Sequence, residues 1–143
     1  VLAARGETGR ALDALERMAL EGGTRQMLAE VDIRLATQAD DPLIAAAYQA
    51  RLGESLEACG SPAALDAYRA ALDYDPESLG ATRGFSRLAE RMDDPSALAE
   101  AARREANVAG DGEVSARLLV RSAEVRIERL GDRSAAVADL ERA

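Results

Sequence analysis

Four prolines partition the chain, and each follows a residue able to cap a helix: Asp41-Pro42, Ser61-Pro62, Asp75-Pro76 and Asp94-Pro95. An Asp or Ser side chain accepts hydrogen bonds from the orphan N–H groups of a first turn, and Pro at the first helical position gives up only an N–H that had no partner. Each pair therefore marks a helix start. Between the marks apolar residues recur every three or four positions, as in Leu65, Tyr68, Ala71 and Leu72, or Leu118, Val125 and Leu130. No segment reads as a strand. The breaks are short, at Gly22-Gly23, Asp40-Asp41, Gly60-Ser61, Asp75-Pro76, Asp93-Asp94, Gly110 to Gly112 and Gly131-Asp132, so consecutive helices must pack antiparallel. The expected elements are eight helices, over 8–21, 24–39, 42–58, 62–74, 77–92, 95–109, 113–130 and 133 to the end, an all-α chain of four hairpins (8–39, 42–74, 77–109, 113–143).

Composition narrows the core. Hydrophobic residues make up 48% of the chain but aromatics only 3%, with no Trp, so Ala, Leu, Val and a few Tyr must fill it. Such a set favours closely approaching helices, since strands select β-branched and aromatic residues. The single cysteine, Cys59, excludes an internal disulfide and a Cys-rich zinc site, and is expected to be a small buried hydrophobe. The net charge of -8 and the pI of about 4.6 argue against binding to a phosphate backbone. All 18 basic residues are Arg, which suggests a GC-rich, bacterial genome. The longest apolar run, Leu43 to Tyr48, is far below the ~18 residues of a membrane span, so no membrane insertion is expected. The absence of a signal pattern and of disulfides gives cytoplasmic as the default location, and Val1 at the start suggests a processed form or a piece of something larger.

Internal repetition sets the architecture. Pro42 and Pro76 are 34 residues apart. At a displacement of 70, Leu28-Ala29-Glu30 returns as Leu98-Ala99-Glu100, Arg34 as Arg104, Ala36 as Ala106, and Arg17 and Ala19 as Arg87 and Ala89; Gly60 and Gly131 continue the register at 71. The two halves are related, which points to a stacked helical array, an α-solenoid.

Residues 42–76 carry a more specific pattern: Leu52-Gly53 on a first helix, Gly60 at the turn, Ala64, Tyr68 and Ala71 on the second helix, and Pro76 at the close. This stretch resembles a tetratricopeptide repeat, a helix-turn-helix unit of 34 residues. Small residues let the backbones approach, and Tyr68 is expected to fill the space between adjacent hairpins. The resemblance implies a superhelix whose successive first helices line a concave groove. With neither end carrying a capping element, the chain reads as a section of a longer array.

The residues offer little for catalysis. Without His, a Ser-His-Asp or Cys-His arrangement is impossible, and no phosphate-loop or GxGxxG pattern occurs. Nearly all members of the acidic pairs Asp40-Asp41, Asp73 with Asp75, and Asp93-Asp94 fall at helix starts, where carboxylates cap N–H groups. Gly110-Asp111-Gly112-Glu113 lacks the alternating ligands of a calcium loop. No enzyme, cofactor or metal is expected. What remains is recognition of a protein or peptide. Arg83, Arg87 and Arg91 fall at i, i+4 and i+8 on one helix face, and the next first helix carries Arg117, Arg121 and Arg129. Guanidinium groups bind carboxylates bidentately, so the stripe Arg83, Arg87, Arg91 and Arg121 suits an acidic segment of a partner. Glu90, Glu124 and Glu128 stand close enough to pair with these arginines as ordinary solvated surface. The earlier first helix presents Ala47, Ala50, Glu54 and Glu57, so a ligand along the groove would meet an apolar and acidic half, then an Arg-rich half. The expected function is a non-enzymatic interaction scaffold or adaptor. The alternative is a structural segment that packs against other domains or self-associates.

Overall fold

The computed structural model describes residues 13, 14, 16–18, 21 and 24–143, and those before Thr24 are helical. The expected helix over 8–21 and the Gly22-Gly23 break lie largely outside the described residues. Seven α-helices follow: α1 (Arg25–Gln38), α2 (Pro42–Ala58), α3 (Ala64–Tyr74), α4 (Leu79–Met92), α5 (Pro95–Val108), α6 (Gly112–Val125) and α7 (Arg133–Leu140). A π-helical turn, Arg126–Leu130, extends α6. There is no strand among the described residues. The chain divides into two compact units, Val1–Asp75 and Pro76–Ala143.

The starts obey local chemistry. Thr24, Asp41, Ser78, Asp94, Asp111 and Asp132 each accept a hydrogen bond from a first-turn N–H, as in Leu43 N to Asp41 Oδ1 at 2.8 Å and Glu113 N to Asp111 Oδ1 at 2.8 Å. Pro42 and Pro95 occupy the first turn as expected. Pro62 and Pro76 do not: both lie in turns, and the helices begin at Ala64 and Leu79. Ser61 Oγ accepts from the N–H of Ala63 at 3.4 Å, and Ser78 rather than Asp75 caps α4, so each proline precedes its helix by a short turn.

The ends differ from the starts in using backbone twist. Gly60 and Gly131 take positive φ, at 70° and 68°, where glycine carries no Cβ penalty. Asp93 takes the same left-handed region at φ 51°, which costs a side-chain-bearing residue about 1 kcal/mol or more. Cys59, expected in the core, is instead exposed. It follows the last residue of α2 as its C-cap, where the chain leaves the apolar face to turn through Gly60.

In the N-terminal unit α1, α2 and α3 pack consecutively. Ala29, Leu52 and Ala67 form one buried cluster with Leu56 against it, and Val31 and Leu35 form a second beneath Tyr48. Tyr68 is 1% exposed and lies on Gly53: a Cβ there would stand 2.8 Å from the ring. The ring therefore fills the space inside its own hairpin, where only glycine leaves room. Its hydroxyl donates to Glu57 Oε2 at 2.9 Å.

In the C-terminal unit α4 packs on α5, α5 on α6, and α6 on α7, with the π turn touching α5, α6 and α7. The interior is again mostly alanine, with Phe85, Leu88 and Leu119 as its larger buried apolar members. Leu130, expected on the apolar stripe, is 42% exposed because the π turn shifts the helical register before Gly131.

Candidate functional site

Each unit buries one aspartate almost completely. Asp32 of α1 is 0% exposed, and Arg51 of α2 donates to its Oδ1 through Nε at 2.8 Å and through a second guanidinium nitrogen. The same guanidinium lies 2.6 Å from Glu16 and 5.1 Å from the centre of the Tyr48 ring. Asp32 Oδ2 has no hydrogen-bond partner. Burial pushes the Asp32 carboxyl above its usual range, against the pull of Arg51. Burial also raises the Tyr48 hydroxyl, helped by the charge of Glu16. For Arg51, burial opposes the charge, but hydrogen bonds to Asp32 and Glu16 outweigh it and hold the guanidinium more firmly protonated.

Asp139 of α7, 2% exposed, has several partners. Arg126 Nε donates to Oδ2 at 2.8 Å, and the Ser122 hydroxyl stands 2.6 Å from the same oxygen and 3.0 Å from the Ala99 carbonyl. Arg103 Nε stands 3.1 Å from Oδ1 as an ion pair, without a hydrogen bond. The π turn carries Arg126 at its first residue and is closed by N–H groups of Gly131 and Asp132 on the Arg126 carbonyl.

Above Asp139 opens a cleft of about 370 Å³, lined by Ser96, Glu100, Arg103, Arg104 and Asn107 of α5 and by Arg126. Arg104 bonds to Glu100 through Nε at 3.4 Å and through a terminal nitrogen at 3.0 Å, and Arg142 donates to Asn107 Oδ1 at 2.9 Å. Sequence reasoning missed this cleft because it treated second helices as packing elements. The spacing Glu100, Arg103, Arg104 and Asn107 is an i, i+3, i+4, i+7 face, and that was the available signal.

The arginines singled out from the sequence lie on α4 and α6, the first helices of the C-terminal unit. Arg83, Arg87 and Arg91 are exposed on α4, and Arg121 is exposed on α6. Arg121 pairs with Glu90 at 3.3 Å across the two helices, with side chains 56% and 60% exposed. Arg117 pairs within α6 with Glu113 at 3.6 Å. Arg129 grips the end of α4: its guanidinium donates to Asp93 Oδ1 at 2.8 Å, Oδ2 at 3.1 Å and the Asp93 carbonyl at 3.2 Å. Those bonds hold the Asp93 carboxyl below the usual range and the Arg129 guanidinium above its own, and they brace the left-handed backbone. Glu54 and Glu57 lie on α2 of the N-terminal unit; Glu54 is exposed, and Glu57 is half-buried under the Tyr68 hydroxyl.

Among the described residues no group of three or more His, Cys, Asp or Glu could hold a metal ion. No described helix is long and apolar enough to cross a membrane. No protein-family model, curated protein or solved structure matches the chain.

Proposed function

We propose that the chain is an interaction scaffold of tetratricopeptide-like hairpins, and that the paired first helices α4 and α6 receive an acidic segment of a partner protein. The observation that carries this reading is the cross-linking of first helices belonging to successive hairpins. In the C-terminal unit Arg121 reaches Glu90 and Arg129 reaches Asp93, and in the N-terminal unit Arg51 of α2 reaches Glu16 in the helical residues before Thr24. Ion pairs between the first helices of successive hairpins are what a stacked helical array would form, and they support that reading. Arg83, Arg87 and Arg91 are exposed on α4 and Arg121 on α6, where Val114 and Val120 are exposed as well. Such a surface offers carboxylates both charge and apolar area.

Affinity capture from a lysate tests the reading, comparing the native chain with a variant carrying Arg83→Glu, Arg87→Glu and Arg121→Glu. A protein retained by the first and lost from the folded second supports it. An unchanged captured set contradicts it. Exposed Val137 and Leu140 on α7 favour a second reading, a structural segment that packs or self-associates through its last helix. Sedimentation of the native chain against Val137→Ser decides that reading: a concentration-dependent dimer abolished by the substitution supports it, and a monomer at all concentrations removes it.

A further inference from the structure

We propose that the α5 cleft is a carboxylate-binding site, distinct from the arginine face of α4 and α6. Its lining sets three guanidinium groups, Arg103, Arg104 and Arg126, against Glu100, with buried Asp139 beneath. Counted over these side chains alone, guanidinium groups outnumber carboxylates by one, in a chain whose net charge is -8.

The donors are held in place before any ligand arrives. Arg126 is 15% exposed and fixed by Asp139; Arg104 is 19% exposed and braced by Glu100. Arg103 has a buried Nε without a hydrogen bond and a side chain 44% exposed on the cleft. Arg142 occupies the Asn107 carbonyl, which leaves the Asn107 amide N–H groups as the donors that this residue can offer. Ser96 adds a hydroxyl at the rim. Planar guanidinium forks with an amide donor match the two oxygens of a carboxylate, and the preset geometry lowers the ordering cost of binding. A single surplus charge suits a monoanion. A phosphate dianion would bring a second negative charge against Glu100 without a matching cation. The volume, about 370 Å³, lies at the small end of ligand pockets.

The carboxylate could belong to a free small acid or to a peptide side chain, and the test separates them. Arginine Nε–H resonances of the full chain are followed by NMR during titration with acetate, or with a capped tripeptide bearing one Glu, at constant ionic strength set with chloride. The proposal expects saturable shifts at Arg103 and Arg126, weakened at least tenfold by Arg103→Gln and by Asn107→Ala, and unchanged by Arg117→Gln. Saturation by both probes at similar concentrations assigns the site to small acids; saturation by the peptide at a concentration at least tenfold lower assigns it to peptide side chains. Arg103→Gln leaves Asp139 with Arg126 and Ser122, and far-UV circular dichroism verifies its fold; if it unfolds, Asn107→Ala carries the decision. Shifts that fail to saturate, that chloride reproduces, or that survive in the folded variants overturn the proposal. Arg83→Glu with Arg87→Glu leaves these shifts intact, so failure of the scaffold reading is told apart from failure of this one.

Discussion

The two units bury one carboxylate each and neutralise it in opposite ways. In the N-terminal unit one cation, Arg51, serves two acids, Asp32 and Glu16. In the C-terminal unit one acid, Asp139, holds two cations, Arg126 and Arg103, with Ser122 as a further partner. The repeated Glu-Arg pair shows the same divergence. Arg34 and Glu30 are 57% and 68% exposed, whereas Arg104 and Glu100, displaced by 70 residues, are 19% and 25% exposed and line the cleft. At a displacement of 71, Tyr68 over Gly53 is replaced by Asp139 and Glu124. An aromatic plug fits one hairpin where a charged anchor fits the other, and the charged anchor lies beside a polar cleft.

The largest expected effect breaks this contrast directly. Arg51→Ala strands Asp32 in the interior with no cation and should cost about 3–5 kcal/mol, while Arg126→Ala leaves Asp139 with Ser122 and Arg103 and should cost about 1–3 kcal/mol. Urea unfolding of both variants checks the order, and equal losses would show that the extra partners of Asp139 carry no weight. Next comes Gly53→Ala, which drives a methyl into a Tyr68 ring that cannot swing away while its hydroxyl is bonded to Glu57. A loss of about 1–3 kcal/mol is expected, relieved when Tyr68→Leu is added; denaturant midpoints of the single and double variants decide it.

A pH comparison sharpens the electrostatic side. Asp32 binds its proton more tightly in the folded chain, so its contribution is fully present below the unfolded value near 3.8 and is lost as pH rises through the raised folded value. The stability of the native chain relative to Asp32→Asn should therefore fall as pH rises through that window. Asp93 is lowered by Arg129, so its contribution is present above 3.8 and is lost as pH falls through the lowered value, and the native chain should lose its advantage over Asp93→Asn only on acidification. Parallel curves for the two comparisons would contradict the opposite signs. The smallest effect belongs to the solvated pair: Arg121→Gln should change stability by about 0–1 kcal/mol, measured by thermal unfolding.

Much of the frame was legible in the residues. Asp41 with Pro42 and Asp94 with Pro95 announce helix starts through cap chemistry, and Gly60 and Gly131 announce the ends, because these signals act within a few residues. Ser61-Pro62 and Asp75-Pro76 misled by a short turn each, since Pro fits a turn as well as a first helical turn. The buried aspartates were illegible: an Asp on a helix reads as surface until a long-range partner such as Arg51, 19 residues away, is placed beside it. Cys59 was misread for the opposite reason, as burial at a helix end depends on where the chain turns. Of the candidate site, the arginine stripe on α4 was visible as spacing, but the cleft needed the π turn that sets Arg126 beside α5, and no local signal announces that turn.

The most direct test of the scaffold reading is fluorescence anisotropy of a labelled Glu-rich peptide titrated with the native chain, with the Arg83→Glu, Arg87→Glu, Arg121→Glu variant and with Arg103→Gln. The account predicts saturable binding that weakens as salt rises, persists in Arg103→Gln, and weakens at least tenfold in the triple variant, where only the α5 cleft is left to hold a single carboxylate. Binding of equal strength to the folded triple variant would contradict it.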